Sequence, residues 1–235
     1  MRLLKTIVIK GKIICLEGLL IGGSKSGIGI GETDNPLIKH PINKQPYIPG
    51  SSIKGKLRFT LEKTECEKEG DEHFKYTNKY GRTSHVPCWK KSCPVCRLFG
   101  SGQPDQSKQP TRLLFCDAYL TDNWKEKWES SFLEIKTEVQ IDRQYRDGKV
   151  SKMGPRDTER IPEGTEFKFE LFLRVFENDD IKKHLLFIAR GLDLMETEKL
   201  GGYGSRGYGR VKFTTEDGKM LLAEYVRKMA ENETL

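Results

Sequence analysis

The chain has 235 residues and a formal net charge of +7, with 36% hydrophobic and 32% charged residues. No apolar run reaches the length of a bilayer-spanning helix, and no membrane partner is expected. The positive balance favours a polyanionic partner, nucleic acid first, with simple solubility as the blander alternative.

Residues 3–16 place Ile7, Ile9, Ile13 and Cys15 on one side and Thr6, Val8, Lys10 and Lys12 mostly on the other, the period of a half-buried strand rather than a signal peptide. Nothing therefore directs the chain to an oxidising compartment. It reads as cytoplasmic, with its six cysteines as thiols or metal ligands. Residues 17–50 form a long excursion rich in glycine and proline, and a loop of that length usually has a task. A helix is predicted over 53–63, with Ser51 or Ser52 as its N-cap. Residues 64–110 are polar and read as an insertion outside the core. A strand over 112–120 follows, then a charged, irregular second insertion over 121–164. Alternating Phe167, Phe169, Leu171, Leu173 and Val175 give another strand. Asp179 or Asp180 caps a helix whose buried face carries Ile181, Leu185, Ile188, Leu192 and Met195. A strand over 206–214 and a terminal helix over 219–231 complete the chain. Without the insertions the order is βαββαβ, an α+β, ferredoxin-like arrangement also used by RNA-recognition modules. The aromatic signatures of those modules are absent, so the sheet face is not the obvious binding surface.

Four motifs carry chemistry. His85, Cys88, Cys93 and Cys96 have the spacing of a closed structural zinc site. His73 or Cys66 could replace His85, and free thiols or a redox pair are the alternatives. Ser51, Ser52, Lys54, Lys56 and Arg58 open a helix, where free N–H groups and basic side chains suit a phosphate. Lys54 and Arg58 share a face; the spacing is not that of a P-loop. Gly201, Gly202, Gly204, Ser205, Arg206, Gly207, Gly209 and Arg210 allow a backbone nest for an anion, with Tyr203 or Tyr208 as a stacking ring. The blander reading is a helix C-cap and a bulged strand. Finally, Asp34 before Asn35-Pro36 is by itself a turn residue, although a loop carboxylate can hold Mg²⁺ beside a phosphate or orient a 2′-hydroxyl. His40 is a rival acid or base, and His184, on a helix, reads as structural. The second insertion, with Arg143 and Arg156 among its cations, is either a protruding hairpin on RNA or a solvated loop.

Taken in order, Gly22-Gly23, Asp34-Asn35-Pro36-Leu37-Ile38-Lys39, Pro46-Tyr47-Ile48-Pro49-Gly50 through Arg58, the cysteine insertion, Ile141-Asp142-Arg143 and Leu200 through Gly209 resemble the RAMP (repeat-associated mysterious protein) family. The likeness covers nearly the whole chain and is closest to the backbone subunits of type III-A (Csm) CRISPR effector complexes. It implies a single domain over 1–235. Its modified ferredoxin-like palm would carry a zinc-binding finger insertion over 64–110 and a thumb-like insertion over 121–164. It also implies that copies of the chain line one CRISPR guide RNA as a filament beside other Csm subunits, with complementary target RNA cut at regular intervals. Cleavage would need Mg²⁺ or another divalent cation and Asp34. Gly22, Gly23, the Ser51–Arg58 stretch, Arg143, Arg156 and the glycine segment would hold RNA, and zinc would brace the fingers. A non-catalytic guide-binding subunit and a standalone endonuclease that processes CRISPR transcripts are the competing functions.

Overall fold

The structure is a computed structural model that describes residues 1–23, 36–66, 75–77, 83–85, 93–100, 110–129, 132–146 and 149–233. Asp34, His73 and Cys88 lie outside these residues, and of the side chains of Cys66, His85 and Arg143 nothing is described.

The central sheet is four-stranded and antiparallel. It orders β10 (Val211–Thr214), β1 (Leu3–Cys15), β9 (Glu166–Phe176) and β5 (Leu113–Phe115). Its inner face is built by the two-residue alternation expected: Ile9, Ile13 and Cys15 on β1 and Phe167, Phe169, Leu171, Leu173 and Val175 on β9 are buried. The outer face keeps lysines and glutamates in cross-strand ion pairs, Lys10–Glu170 and Lys12–Glu166, each at 3.2 Å. Three helices bury apolar sides in the same core: α1 (Gly50–Leu61), α4 (Ile181–Glu198) and α5 (Leu222–Asn232). α1 and α4 meet closely at Gly191, where a Cβ would lie 2.6 Å from a Leu57 methyl. None of the helices among the described residues is long and apolar enough to cross a membrane.

Several boundaries differ from expectation, each for a physical reason. α1 starts at Gly50, and neither Ser51 nor Ser52 caps it. The Pro49 carbonyl accepts from the Ser52 and Ile53 amides, and the Gly50 amide donates to Asp117 Oδ1 at 2.7 Å. That same Asp117 breaks the strand expected over 112–120. β5 ends at Phe115, and β6 (Ala118–Tyr119) pairs instead with β2 (Tyr47–Ile48). After α1 the chain continues as a π-helical turn, Glu62–Cys66. Two short strands of the first insertion, β3 (Lys75–Thr77) and β4 (Thr83–His85), pair antiparallel. The same insertion reaches the core. In α2 (Pro94–Phe99), Val95, Leu98 and Phe99 are buried, so residues 93–99 are not peripheral.

Where it is described, the second insertion forms regular elements rather than an irregular loop. α3 (Asp122–Lys127) leads into a hairpin of β7 (Glu134–Arg146) and β8 (Lys149–Arg160), whose length is on the order of 40 Å at the usual rise per residue. Only Asp180 caps α4, accepting from the Lys183 amide at 2.9 Å. Asp179 is committed elsewhere: its carboxylate and Arg112 form a buried pair at 3.0 Å, and it also accepts from the Phe176 amide. His184 is buried on α4, and burial holds it below its usual pKa, in keeping with a structural residue.

Candidate functional site

Four segments converge at one end of the sheet. β1 runs on into Gly18–Gly23, and Leu19 bridges Ile161 just past β8. The ends of the 24–35 segment, which carries Asp34, are clasped. The Gly23 amide donates to Pro36 O and the Ile38 amide to Ile21 O, both at 2.9 Å, with Gly22 bridging Leu37. On the other side the glycine-rich segment lies against the same stretch, with the Gly202 amide on Leu20 O and the Gly209 amide on Gly18 O, again at 2.9 Å. The hairpin base closes the group: Lys39 pairs with Glu159 at 2.9 Å, and Glu134 pairs with Arg160 at 2.6 Å.

The glycine content of 201–210 answers first to this packing. Gly201 has φ of +78°, and a Cβ there would lie 2.2 Å from the Leu20 carbonyl. Gly209 has φ of +80°, with a Cβ 2.0 Å from the Leu200 carbonyl. Lys199 and Tyr203 also sit in the left-handed region, at 59° and 57°. Such a run of positive φ is costly and persists only where the surroundings over-determine it. Because the Gly202 and Gly209 amides are already engaged, the anion nest expected here is reduced to the tip around Gly204 and Ser205, a short 3₁₀ turn, Gly204–Arg206. The strand expected from Arg206 therefore begins only at Val211.

Arg206 and Tyr208 both join the glycine segment to the hairpin. Arg206 Nη1 donates to Glu138 on β7 at 2.8 Å, its guanidinium lies 4.3 Å from the Tyr203 ring centre, and its carbonyl accepts from Lys136 Nζ at 3.0 Å. Tyr208 is fully buried and cannot stack on a base. Its ring is flanked by Lys136 at 4.4 Å and Arg160 at 5.2 Å. Its hydroxyl lies toward the Glu138 carboxylate without closing a hydrogen bond of regular geometry. Burial, then Glu138, push its pKa up to about 12. Sequence spacing gave no sign of this clamp between the hairpin and the glycine segment, because its partners stand far apart along the chain.

At the start of α1, Ser51 is exposed and Ser52 half-buried, but the first amide is taken by Asp117. Lys56 pairs with Glu198 at 3.5 Å and Arg58 with Glu62 at 2.7 Å. Lys54 has no acidic partner among the described residues. Burial and the adjacent Arg58 charge hold its ammonium below the usual range, and a phosphate beside it would offset the Arg58 repulsion. Arg156 is exposed on β8. Beside α1, Tyr47 and Tyr119 stack at 5.6 Å between ring centres, with His40 edge-on to Tyr119 at 6.2 Å. Cys93 and Cys96 sit buried, one turn apart, where the chain enters α2. They suit two ligands of a chelating set. Among the described residues no three of His, Cys, Asp or Glu gather as a metal-ligand group.

A family model described as the RAMP superfamily matches residues 12–212. An endoribonuclease named Csm3 from Methanothermobacter thermautotrophicus is 35% identical over the whole of this chain and 94% of its own length. A Csm3 endoribonuclease from Streptococcus thermophilus is 36% identical over 88% of this chain and 87% of its own. Among solved structures, a Csm3–Csm4 subcomplex of a type III-A interference complex superposes with a TM-score of 0.59 at 23% identity, covering 99% of this chain and 98% of that one. A type III-B Cmr-beta complex bound to cognate target RNA gives 0.61 at 18% identity, over 90% of this chain and 60% of that one.

Proposed function

This chain belongs to the RAMP superfamily, and on that premise we propose that it is the guide-RNA-binding backbone subunit of a type III-A CRISPR effector complex and cuts complementary target RNA through Asp34. The observation that supports this reading best is the junction. The clasped ends of the Asp34 segment, the glycine segment and the base of a long hairpin meet at one place. A hairpin of that length, anchored only at its base among the described residues, suits a thumb that enters a nucleic acid, and the four-stranded sheet with its helices serves as the palm. The relatives named Csm3 carry the description endoribonuclease. Copies of this chain would line one CRISPR guide RNA, beside other Csm subunits, in the cytoplasm. Lys54, Ser51, Ser52 and Arg156 would contact phosphates. Arg206, whose side chain stays 55% exposed while paired to Glu138, would contact RNA as well as set the hairpin.

In the cleavage step the target's 2′-oxygen bonds to the adjacent phosphorus and the bond to the 5′-oxygen breaks, leaving a cyclic phosphate. The 2′ proton passes to a base and the departing oxygen acquires one. Asp34 would orient that hydroxyl or hold a divalent cation, whose charge would stabilise the phosphorane oxygens. The test is a complex reconstituted with guide RNA, labelled complementary RNA and Mg²⁺. Asp34→Ala is expected to lower periodic cutting by about 100-fold or more while guide RNA remains bound. Undiminished cutting by that variant removes Asp34 from the chemistry, and full-length target with the wild-type complex points to a purely structural subunit.

We further propose that Cys93 and Cys96, with Cys88 and His85, hold a structural zinc ion. Support comes from the burial of both described thiols one turn apart. Purified protein is expected to contain about one equivalent of zinc, and chelation to lower the melting temperature. Zinc below about half an equivalent, unchanged by Cys93→Ser, counts against the site.

A further inference from the structure

Tyr47 and Tyr119 face each other directly across the β2–β6 pair. Their neighbours Ile48 and Ala118 are buried, so alternation turns both tyrosines outward. The rings stack with an interplanar angle of 23°, and Tyr119 remains 41% exposed. A cross-strand aromatic pair adds little to a two-residue ladder over a filled core, and packing does not require the exposed Tyr119 stacked on the half-buried Tyr47.

The surroundings are preorganised. The turn from His40 to Gln45 is fixed by the His40 amide on Gln45 O at 2.8 Å, the Lys44 amide on His40 O at 3.0 Å and the Gln45 amide on Asn43 Oδ1 at 3.1 Å. His40 Nδ1 accepts from the Ile42 amide at 3.3 Å, which fixes the orientation of the ring. At the tip Lys44 is exposed, with φ of 58°. Tyr47 lies just before α1, and Asp117, close to Tyr119 in the chain, holds the first amide of that helix. The ring pair therefore adjoins, along the chain and through Asp117, the start of the helix that carries Ser51, Ser52 and Lys54.

We propose that the Tyr47–Tyr119 pair, with His40 at its edge, is a stacking site for an unpaired nucleobase of single-stranded RNA. This rests on the reading that the chain binds RNA. Aromatic rings accept any base through its π-face, whereas a paired base already has both faces covered. Lys44 and Lys54, on the two chain segments flanking the rings, supply charge for the adjoining phosphates. The site thus selects strandedness, not sequence.

Two measurements on the full-length chain test this. In the first, single-stranded RNA carrying 5-iodouridine is photo-crosslinked to the wild-type protein and the attachment residue is mapped. Attachment at Tyr47 or Tyr119 is expected, and attachment only elsewhere overturns the proposal. In the second, binding of single-stranded RNA carrying 2-aminopurine is compared for wild type, Tyr119→Phe and Tyr119→Ala. The alanine variant is expected to bind about 5- to 100-fold more weakly and to lose fluorescence quenching, with the phenylalanine variant close to wild type. Unchanged affinity and quenching in Tyr119→Ala overturn it, because that variant must differ if the ring stacks. Wild-type protein that binds no RNA brings down the RNA-binding reading itself. Binding without crosslinks to either tyrosine brings down only the stacking site.

Discussion

Single residues here mostly serve the geometry of the junction, and charge is spent internally where the sequence shows it only as charge. Arg112 and Asp179 are the extreme case, since both side chains are almost fully buried. Burial alone raises the Asp179 pKa, but hydrogen bonds from Arg112 and the Phe176 amide outweigh it and hold the carboxyl below its ordinary value. A carboxyl whose folded pKa is depressed adds stability above its unfolded pKa, about 3.9, and that stability is lost as pH falls through the folded value. Asp179→Asn leaves Arg112 unpaired in the interior and is expected to cost about 3–5 kcal/mol at neutral pH. In denaturant titrations the gap to wild type should narrow below about pH 4, and a gap independent of pH would show that the ion pair is not its source. None of this was legible beforehand. Asp179 and Asp180 stood as equal cap candidates, and only the position of Arg112 separates them. Gly201 and Gly209 were legible as unusual, but not their cause, which is the approach of two backbone carbonyls.

At the scale of elements, legibility follows burial. β1, β9 and α4 each bury one face, so their periods stand out in the sequence. The β7–β8 hairpin gave no such signal, because where it is described its apolar residues are exposed. Ile135 is 64% and Val139 71% accessible, so no alternation distinguishes an inner from an outer face. α2 was missed for the opposite reason: a short buried helix lies inside a stretch whose overall composition is polar. A hairpin without a core must be held by its base, and here the hold is Tyr208 with its two flanking cations and Glu138. Each cation over a ring contributes about 0.5–2 kcal/mol. Tyr208→Leu is expected to lower global stability by about 2 kcal/mol. It should also speed hydrogen exchange of the amides of 134–139 by more than that loss explains, while the exchange of β1 and β9 follows global stability. Uniform acceleration across the chain would mean that the clamp is ordinary core packing.

For the whole molecule, the sequence conveyed the order of the core elements and the family, while the placement of the ends of the 24–35 segment relative to the hairpin base had to come from the structure. The 41 lysines and arginines overstate the cations available to a polyanion, although pairing leaves the net charge of +7 unchanged. Lys10, Lys12, Lys39, Lys56, Arg58, Arg160 and Arg206 are engaged with carboxylates of the same chain. The clasp at Gly23–Pro36 and Ile21–Ile38 has a consequence for change over time. It closes the chain below the 24–35 segment without using any residue within it. The added cost of a longer segment between closed ends grows only by about 0.6 kcal/mol per doubling. Insertions or deletions between the clasped ends are therefore expected to leave the fold of the scaffold intact, so the segment's length can change while Asp34 is kept.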